Sequence, residues 1–198
     1  MSIFNSEKQW ANFWVGRVGW QPSWAARRIA ESCDATRLIA DIGGAHGRDS
    51  FWLSTKGFRV VLLEPNAYSL KMALQRIKDQ RIHIGIVRSA LPNLPVPDKY
   101  FNAVTFYWGL HSYPDEEKLR ALVEIERVMA NDGLLFSASF RSWSGHSVPL
   151  SIHLVPKKEV FIAWHEKAGF RTLKVTDMAD ETHAFEKSWC GEFKAVKT

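Results

Sequence analysis

Two acids and a run of small residues are the part of this chain best suited to hold a small polar ligand. Asp41 stands near the end of an apolar run, Leu38-Ile-Ala-Asp-Ile42, and Gly43-Gly-Ala-His-Gly47 follows directly, ahead of Arg48. Small residues there let backbone amides approach a ligand where longer side chains would collide. Glu64 ends the next apolar run, Phe58 to Leu63. An acid about twenty residues beyond such a turn can accept both hydroxyls of a ribose. Open α/β sheets bind their ligands at strand-to-helix turns of this kind. The spacing therefore predicts a nucleotide-like or small anionic ligand over the turn, with Asp41, Gly43, Gly44, Ala45, Gly47, Glu64 and the adjoining Pro65 around it.

The familiar glycine codes do not fit. A dinucleotide fingerprint, Gly-x-Gly-x-x-Gly, fails from Gly43, where Ala45 and Arg48 take the second and third places, and from Gly44, where His46 and Asp49 do. A phosphate-cradling loop needs Gly-Lys-Ser/Thr, and Gly47 is followed by Arg48-Asp49. The histidines form no i, i+4 pair and have no cysteines at ligand spacing, so no metal is expected. Tyr107 and His111, just past a later apolar run, are the best-placed candidates for a general base. Arg141 and His146, in a long aperiodic stretch, are candidates to contact an anionic substrate. Near the start, Trp10 and Trp14 share a helical face with Phe13, and with Arg17 they form a candidate lid over the ligand or an amphipathic cap on the sheet.

The elements that would position these residues alternate. Two helices, about Ser6 to Arg17 and Pro22 to Cys33, come before the first strand, Arg37 to Ile42. Further strands are expected at Phe58–Leu63, Ile82–Val87, Tyr100–Tyr107, Leu134–Phe140, Phe170–Thr176 and about Ser188–Val196. Helices lie between them, one with a buried stripe of Leu70, Ala73, Leu74 and Ile77, another with Leu119, Leu122, Ile125 and Met129 and a stop at Asn131-Asp132-Gly133. The prolines at 92, 95 and 97 make residues 89–99 an extended loop. The expected fold is α/β: a doubly wound sheet of seven strands, mostly parallel with an antiparallel edge strand. A single domain over 1–198 is expected, with an N-terminal helical cap at 1–34 and the core at 35–198.

With Asp41, Gly43, Ala45 and Gly47 in the pattern acid-x-Gly-x-small-x-Gly, the chain resembles the class I S-adenosylmethionine-dependent methyltransferases, and it is nearest in size to their small-molecule and tellurite-resistance-like members. Glu64 matches the family's ribose-binding acid. The stretch from Ser89 to Val104 is similar to its loop and strand beside the adenine, Gly109 to Asp115 to the stretch after the fourth strand, and Glu124 to Leu135 to the helix-turn-strand that closes the core. The resemblance implies a Rossmann-like core, S-adenosyl-L-methionine as cofactor, and Ser89, Ala90, Leu91 and Tyr107 beside it. Ala45 stands where the family has its middle glycine, Ser89 where it commonly has an aspartate, and Asn102 where the fourth strand commonly has one. The implied activity is methyl transfer to a small-molecule acceptor. A non-catalytic subunit of the same fold that binds a partner protein is the alternative, with an RNA methyltransferase behind it.

Composition narrows the rest. The net charge of +5 invites nucleic acid, but basic residues come at most in pairs and are interleaved with acids, the pattern of a solvated surface. Two distant cysteines, Cys33 and Cys190, predict no disulfide framework and a reduced, cytoplasmic setting. The N-terminal stretch reads as polar and aromatic rather than as a signal peptide, and no run is apolar enough to span a bilayer. Nothing in the sequence fixes the oligomeric state.

Overall fold

The elements follow the expected alternation, with local departures that have physical causes. The computed structural model describes residues 6–80, 82–143, 153–155, 157–179 and 186–196. Helices α1 (Glu7–Val18) and α2 (Trp24–Ser32) precede β1 (Leu38–Ile42), α3 (Arg48–Thr55), β2 (Arg59–Leu63), α4 (Ala67–Gln80), β3 (Gly85–Val87) and β4 (Phe101–Tyr107). A one-turn 3-10 helix (Leu110–Ser112) leads to α5 (Asp115–Val128), β5 (Met129–Trp143), α6 (Lys158–Lys167), β6 (Phe170–Ala179) and β7 (Glu186–Ala195). The seven strands form one sheet in the order β3-β2-β1-β4-β5-β7-β6. Only β7 runs against its neighbours, pairing antiparallel with both β5 and β6, so it lies one place in from the edge. The chain reverses its direction of sheet growth between β1 and β4, the crevice where doubly wound sheets take their ligands.

Both faces of the sheet are covered, which is why β1 and β2 are apolar almost throughout. On one face α2 sets Ala25, Ala26 and Ile29 against Ile39, Ala103 and Phe136. On the other, Leu122, Ile125 and Val128 of α5 pack with Val104, Phe106, Leu135 and Phe193. Both helices before β1 begin at serines whose side chains cap the first turn, Ser6 for α1 and Ser23 for α2. Among the described residues no helix is long and apolar enough to cross a membrane.

Three expectations are corrected. Leu74 is 47 % exposed, because α4 touches the sheet edge by a narrow stripe of Leu70, Ala73 and Ile77. Helix α5 ends at Val128 rather than at the Asn131-Asp132-Gly133 turn, and Met129 already pairs with Phe101 as the first residue of β5. The turn residues form an irregularity inside that strand, with Asp132 at φ +61°, and the register resumes at Ala103 with Leu134. Strand β3 is only three residues long, shorter than the apolar run suggests. Asn102, in place of an acid, accepts the Leu38 amide at 3.0 Å and fixes β1 against β4. Both cysteines are free thiols.

Candidate active site

The turn after β1 is built by left-handed backbone: Gly43, Ala45 and Gly47 have φ of +67°, +50° and +80°. Glycine adopts such angles without strain, and alanine does so at a cost of about 1–2 kcal/mol. The Gly43 amide continues the sheet ladder to the Leu63 carbonyl at 2.8 Å, and the Gly47 amide closes the turn on the Gly44 carbonyl at 2.8 Å. Beneath the turn, Asp41 Oδ2 accepts the Ser50 amide at 3.1 Å and its hydroxyl at 2.6 Å, tying the strand to the first turn of α3. Gly44 has to be glycine for this reason, since a Cβ there would lie 2.4–2.6 Å from the Asp41 carboxyl atoms. Burial, followed by the nearby Asp49 charge, pushes the Asp41 carboxyl above the usual carboxylate range. Asp49 accepts the Ser23 amide at 2.8 Å and hydroxyl at 2.5 Å, which joins α3 to the start of α2.

Glu64 reaches back over the same turn. One carboxylate oxygen accepts the Ala45 amide at 2.9 Å and the other the Asn66 amide at 2.8 Å. A carboxylate has about four lone-pair positions, so two remain for further donors. The side chain is buried, which pushes its pKa up to about 7 against the two amides that favour the anion. Beside it α1 is latched down: Glu7 accepts the Ala67 amide at 3.0 Å, pairs with Arg88 at 3.4 Å, and its carbonyl takes the Asn66 side-chain amide at 3.0 Å. Past β3, the Ser89 amide donates to the Glu64 carbonyl at 3.3 Å while the Ser89 hydroxyl is buried with no hydrogen-bond partner. Leu91 and Leu94 are buried behind it, and the Leu94 amide is fixed by Glu124 at 2.7 Å.

The end of β4 supplies the third wall. Trp108 has φ +58° and its indole donates to Ser188 Oγ at 3.1 Å. Gly109 admits the Phe106 ring, which a Cβ would meet at 1.9 Å. His111 is buried with its ring 4.3 Å from that of Phe140, and burial, with Lys118 nearby, lowers its pKa to about 3. The Arg48 guanidinium lies 5.4 Å from the Tyr107 ring centre and 5.9 Å from that of Trp108. His46, also buried, contacts the Gly19 carbonyl at 3.0 Å and meets Trp20 edge-on at 4.5 Å, and burial lowers it to about 4.

These walls enclose a cavity of about 520 Å³ over the carboxyl ends of β1, β2 and β4. Of the residues singled out by sequence, Asp41, residues 43–45, Glu64 and Pro65, residues 89–91, Tyr107 and His111 line it. Gly47 lies behind the turn, where a Cβ would meet Phe51 and Leu62 at 3.2–3.3 Å. Arg141 is not among the described lining residues. Its guanidinium is held by both Asp177 oxygens, at 2.8 and 2.6 Å, and lies 5.1 Å from the Trp189 ring centre. His146 and the side chains of Trp10, Trp14 and Arg17 lie outside the described residues. Sequence reasoning missed Arg48, His46, Trp108 and Glu7 as lining residues. His46 and Arg48 stand at places the glycine pattern leaves unspecified, and Trp108 follows Tyr107, so adjacency was the available signal. Among the described residues no group of three metal-ligating side chains occurs.

A methyltransferase-domain family model matches residues 40–137, the span from β1 into β5. The ubiquinone/menaquinone biosynthesis C-methyltransferase UbiE of Photorhabdus laumondii is 27 % identical over 190 residues, covering 77 % of this chain and 74 % of that one. The chain spans 63 % and 48 % of the UbiE proteins of Proteus mirabilis and Serratia proteamaculans. Among solved structures, the [4+2]-cyclase SpnF superposes with a TM-score of 0.77 at 16 % identity, over 87 % of this chain and 80 % of that one. The 1,6-didemethyltoxoflavin N1-methyltransferase of Burkholderia thailandensis, solved with its substrate and S-adenosylhomocysteine, superposes with a TM-score of 0.73 at 13 % identity, over 96 % and 87 % of the two chains. The structural likenesses speak for the fold. The matched domain and the UbiE relatives, with the glycine turn that Glu64 closes, make the chain a class I S-adenosylmethionine-dependent methyltransferase.

Proposed function

We propose that the cavity binds S-adenosylmethionine through Glu64 and Ser89 and that the protein methylates a small organic acceptor held at the β4 end. The observation that carries this reading is the Ser89 hydroxyl, buried at the cavity wall without a partner, one strand away from a buried carboxylate with acceptor positions to spare. Glu64 would accept the ribose hydroxyls and Ser89 a donor of the adenine edge. The small residues at 43–45 leave room for the chain that joins sugar and sulfur. When bound, the cofactor supplies an electrophilic methyl on a cationic sulfur. Alignment in a dry cavity provides most of the acceleration for such a displacement. Phe106, Tyr107 and Trp108 exclude water, and aromatic faces favour a nearby cation.

The size of the cavity and the aromatic side chains at its β4 end support a small molecule over a nucleic acid or a protein. SpnF shows that the fold also carries a cyclase, so binding and turnover have to be tested separately. Titration calorimetry with S-adenosylmethionine and S-adenosylhomocysteine should give saturable one-site binding that Glu64→Ala weakens at least thirtyfold. Absence of binding to folded wild-type protein overturns the reading.

A further inference from the structure

The chemistry of the acceptor can be narrowed from the β4 end of the cavity, given the reading just proposed. The groups suited to adenosine, Glu64 and Ser89, lie beyond β2 and β3. Beyond β1 and β4, on the other side of the turn, stand Arg48, Tyr107, Trp108 and His111. The Arg48 side chain is only 11 % exposed, and the neighbouring Asp49 carboxylate, 3.5 Å from Arg48 Nε, also serves the amide and hydroxyl of Ser23. A guanidinium stays charged in proteins and recognises planar oxygen anions through its fixed fork of donors. It lies here beside two aromatic faces, at 5.4 and 5.9 Å.

The histidines and Tyr113 of this end do little proton chemistry. His46 and His111 are held neutral by burial, at about 4 and about 3, and are weak bases. The Tyr113 hydroxyl, pushed up to about 12 by burial, keeps its proton. A buried guanidinium beside aromatic faces, with no strongly basic histidine next to it, suits an acceptor that is already ionised.

We propose that the acceptor is a planar organic anion, an aromatic or enolic oxygen acid, that sets its negative oxygen on Arg48 and its ring or enol plane along Tyr107 and Trp108. The acceptor's electron pair forms the bond to the methyl carbon while the carbon–sulfur pair stays on sulfur. One anion and one cation thereby become two neutral products, and no proton has to pass to the protein. Arg48 is thus a residue of acceptor specificity, distinct from the ribose and adenine contacts.

S-adenosylmethionine and S-adenosylhomocysteine differ by a methyl and by the charge on sulfur, so their affinity ratio reports the local field without a known acceptor. Calorimetry on the wild type, Arg48→Gln and Arg48→Lys is expected to show Arg48→Gln favouring the methionine form over the homocysteine form three- to tenfold more than the wild type does. Wild-type protein saturated with S-adenosylhomocysteine should bind 2-naphthoate at least tenfold tighter than 2-naphthamide. Arg48→Gln should remove that preference and Arg48→Lys should keep part of it. Equal binding of the two naphthyl probes by wild type overturns the proposal, and needs no variant to fold. So does an equal, tenfold or greater loss of both cofactor forms in Arg48→Gln, which would assign the guanidinium to the cofactor's carboxylate. Failure of both cofactor forms to bind wild type would overturn the underlying cofactor reading instead.

Discussion

Replacing Glu64 by glutamine keeps the side chain's shape and removes its titration, which makes the buried carboxyl measurable. Burial raises that carboxyl from an ordinary 4.5 to about 7, more than the Asn66 and Ala45 amides lower it. A group whose pKa is higher in the folded state than in the unfolded chain holds its proton more tightly when folded. Its stabilising contribution is therefore complete below the unfolded value and is lost as pH rises through the folded one. A shift of that size corresponds to about 3 kcal/mol, at roughly 1.4 kcal/mol per unit. Urea unfolding of both proteins between about pH 4.5 and pH 8 should show the wild type losing about 3 kcal/mol relative to Glu64→Gln across that window. Asp41 is raised in the same direction, but it is present in both proteins and cancels in the difference. The glutamine leaves one backbone amide poorly served, a constant offset of about 1–3 kcal/mol with no pH slope. Ligand binding should run the other way, because ribose hydroxyls donate to the ionised carboxylate. S-adenosylhomocysteine should bind wild type more tightly as pH rises toward 7 and then level off, while the variant stays flat. Parallel stability curves for the two proteins would refute the argument.

Other substitutions separate roles that the geometry keeps apart. Ser89→Ala removes a buried hydroxyl with no protein partner, so stability should stay within about 0.5 kcal/mol by thermal unfolding while cofactor affinity falls about three- to tenfold, one hydrogen bond's worth. Ala45→Gly relieves a left-handed alanine worth about 1–2 kcal/mol and adds about 0.4–1 kcal/mol of unfolded-chain freedom, for a net gain of about 0–1.5 kcal/mol in urea unfolding; a clear loss would refute the strain. Gly44→Ala forces a methyl into the Asp41 carboxyl and should cost about 1–3 kcal/mol. In an Asp41→Ala background that cost should shrink, which a double-mutant cycle by chemical denaturation would show.

The parts of this site that sequence made legible are those held by local backbone. Glycine spacing at 43–47 announced a tight turn of small residues, and the apolar run ending at Glu64 placed an acid on the neighbouring strand, where β1 and β2 pair in register from Leu38 with Arg59 to Ile42 with Leu63. What escaped depends on which face meets which. Asp41 looks like a ligand contact in sequence, yet its hydrogen bonds go to Ser50, nine residues on, because the turn folds α3 back over it. Nothing in the spacing marks Arg48, and only the pairing of β1 with β4 brings it to Tyr107 and Trp108. Arg141 stands in an aperiodic stretch by sequence, yet it lies inside β5, and the β6–β7 pair carries Asp177 across to hold it. The end of α5 was misplaced for a similar reason: the Tyr100 amide takes the Val128 carbonyl at 2.9 Å, and β-pairing begins before any turn residue appears.

The Glu7 latch has a kinetic and thermodynamic corollary. Asn66 donates its backbone amide to Glu64 and its side-chain amide to the Glu7 carbonyl, so the residue that orients the ribose acid also seats the first helix. Two events that share a hinge residue in this way are linked, and linkage is reciprocal: whatever factor a seated helix adds to cofactor affinity, bound cofactor adds to the seating of the helix. Amide hydrogen exchange in α1 then becomes a remote gauge of occupancy, slowing when the cavity fills although no exchanging proton of that helix need touch the ligand.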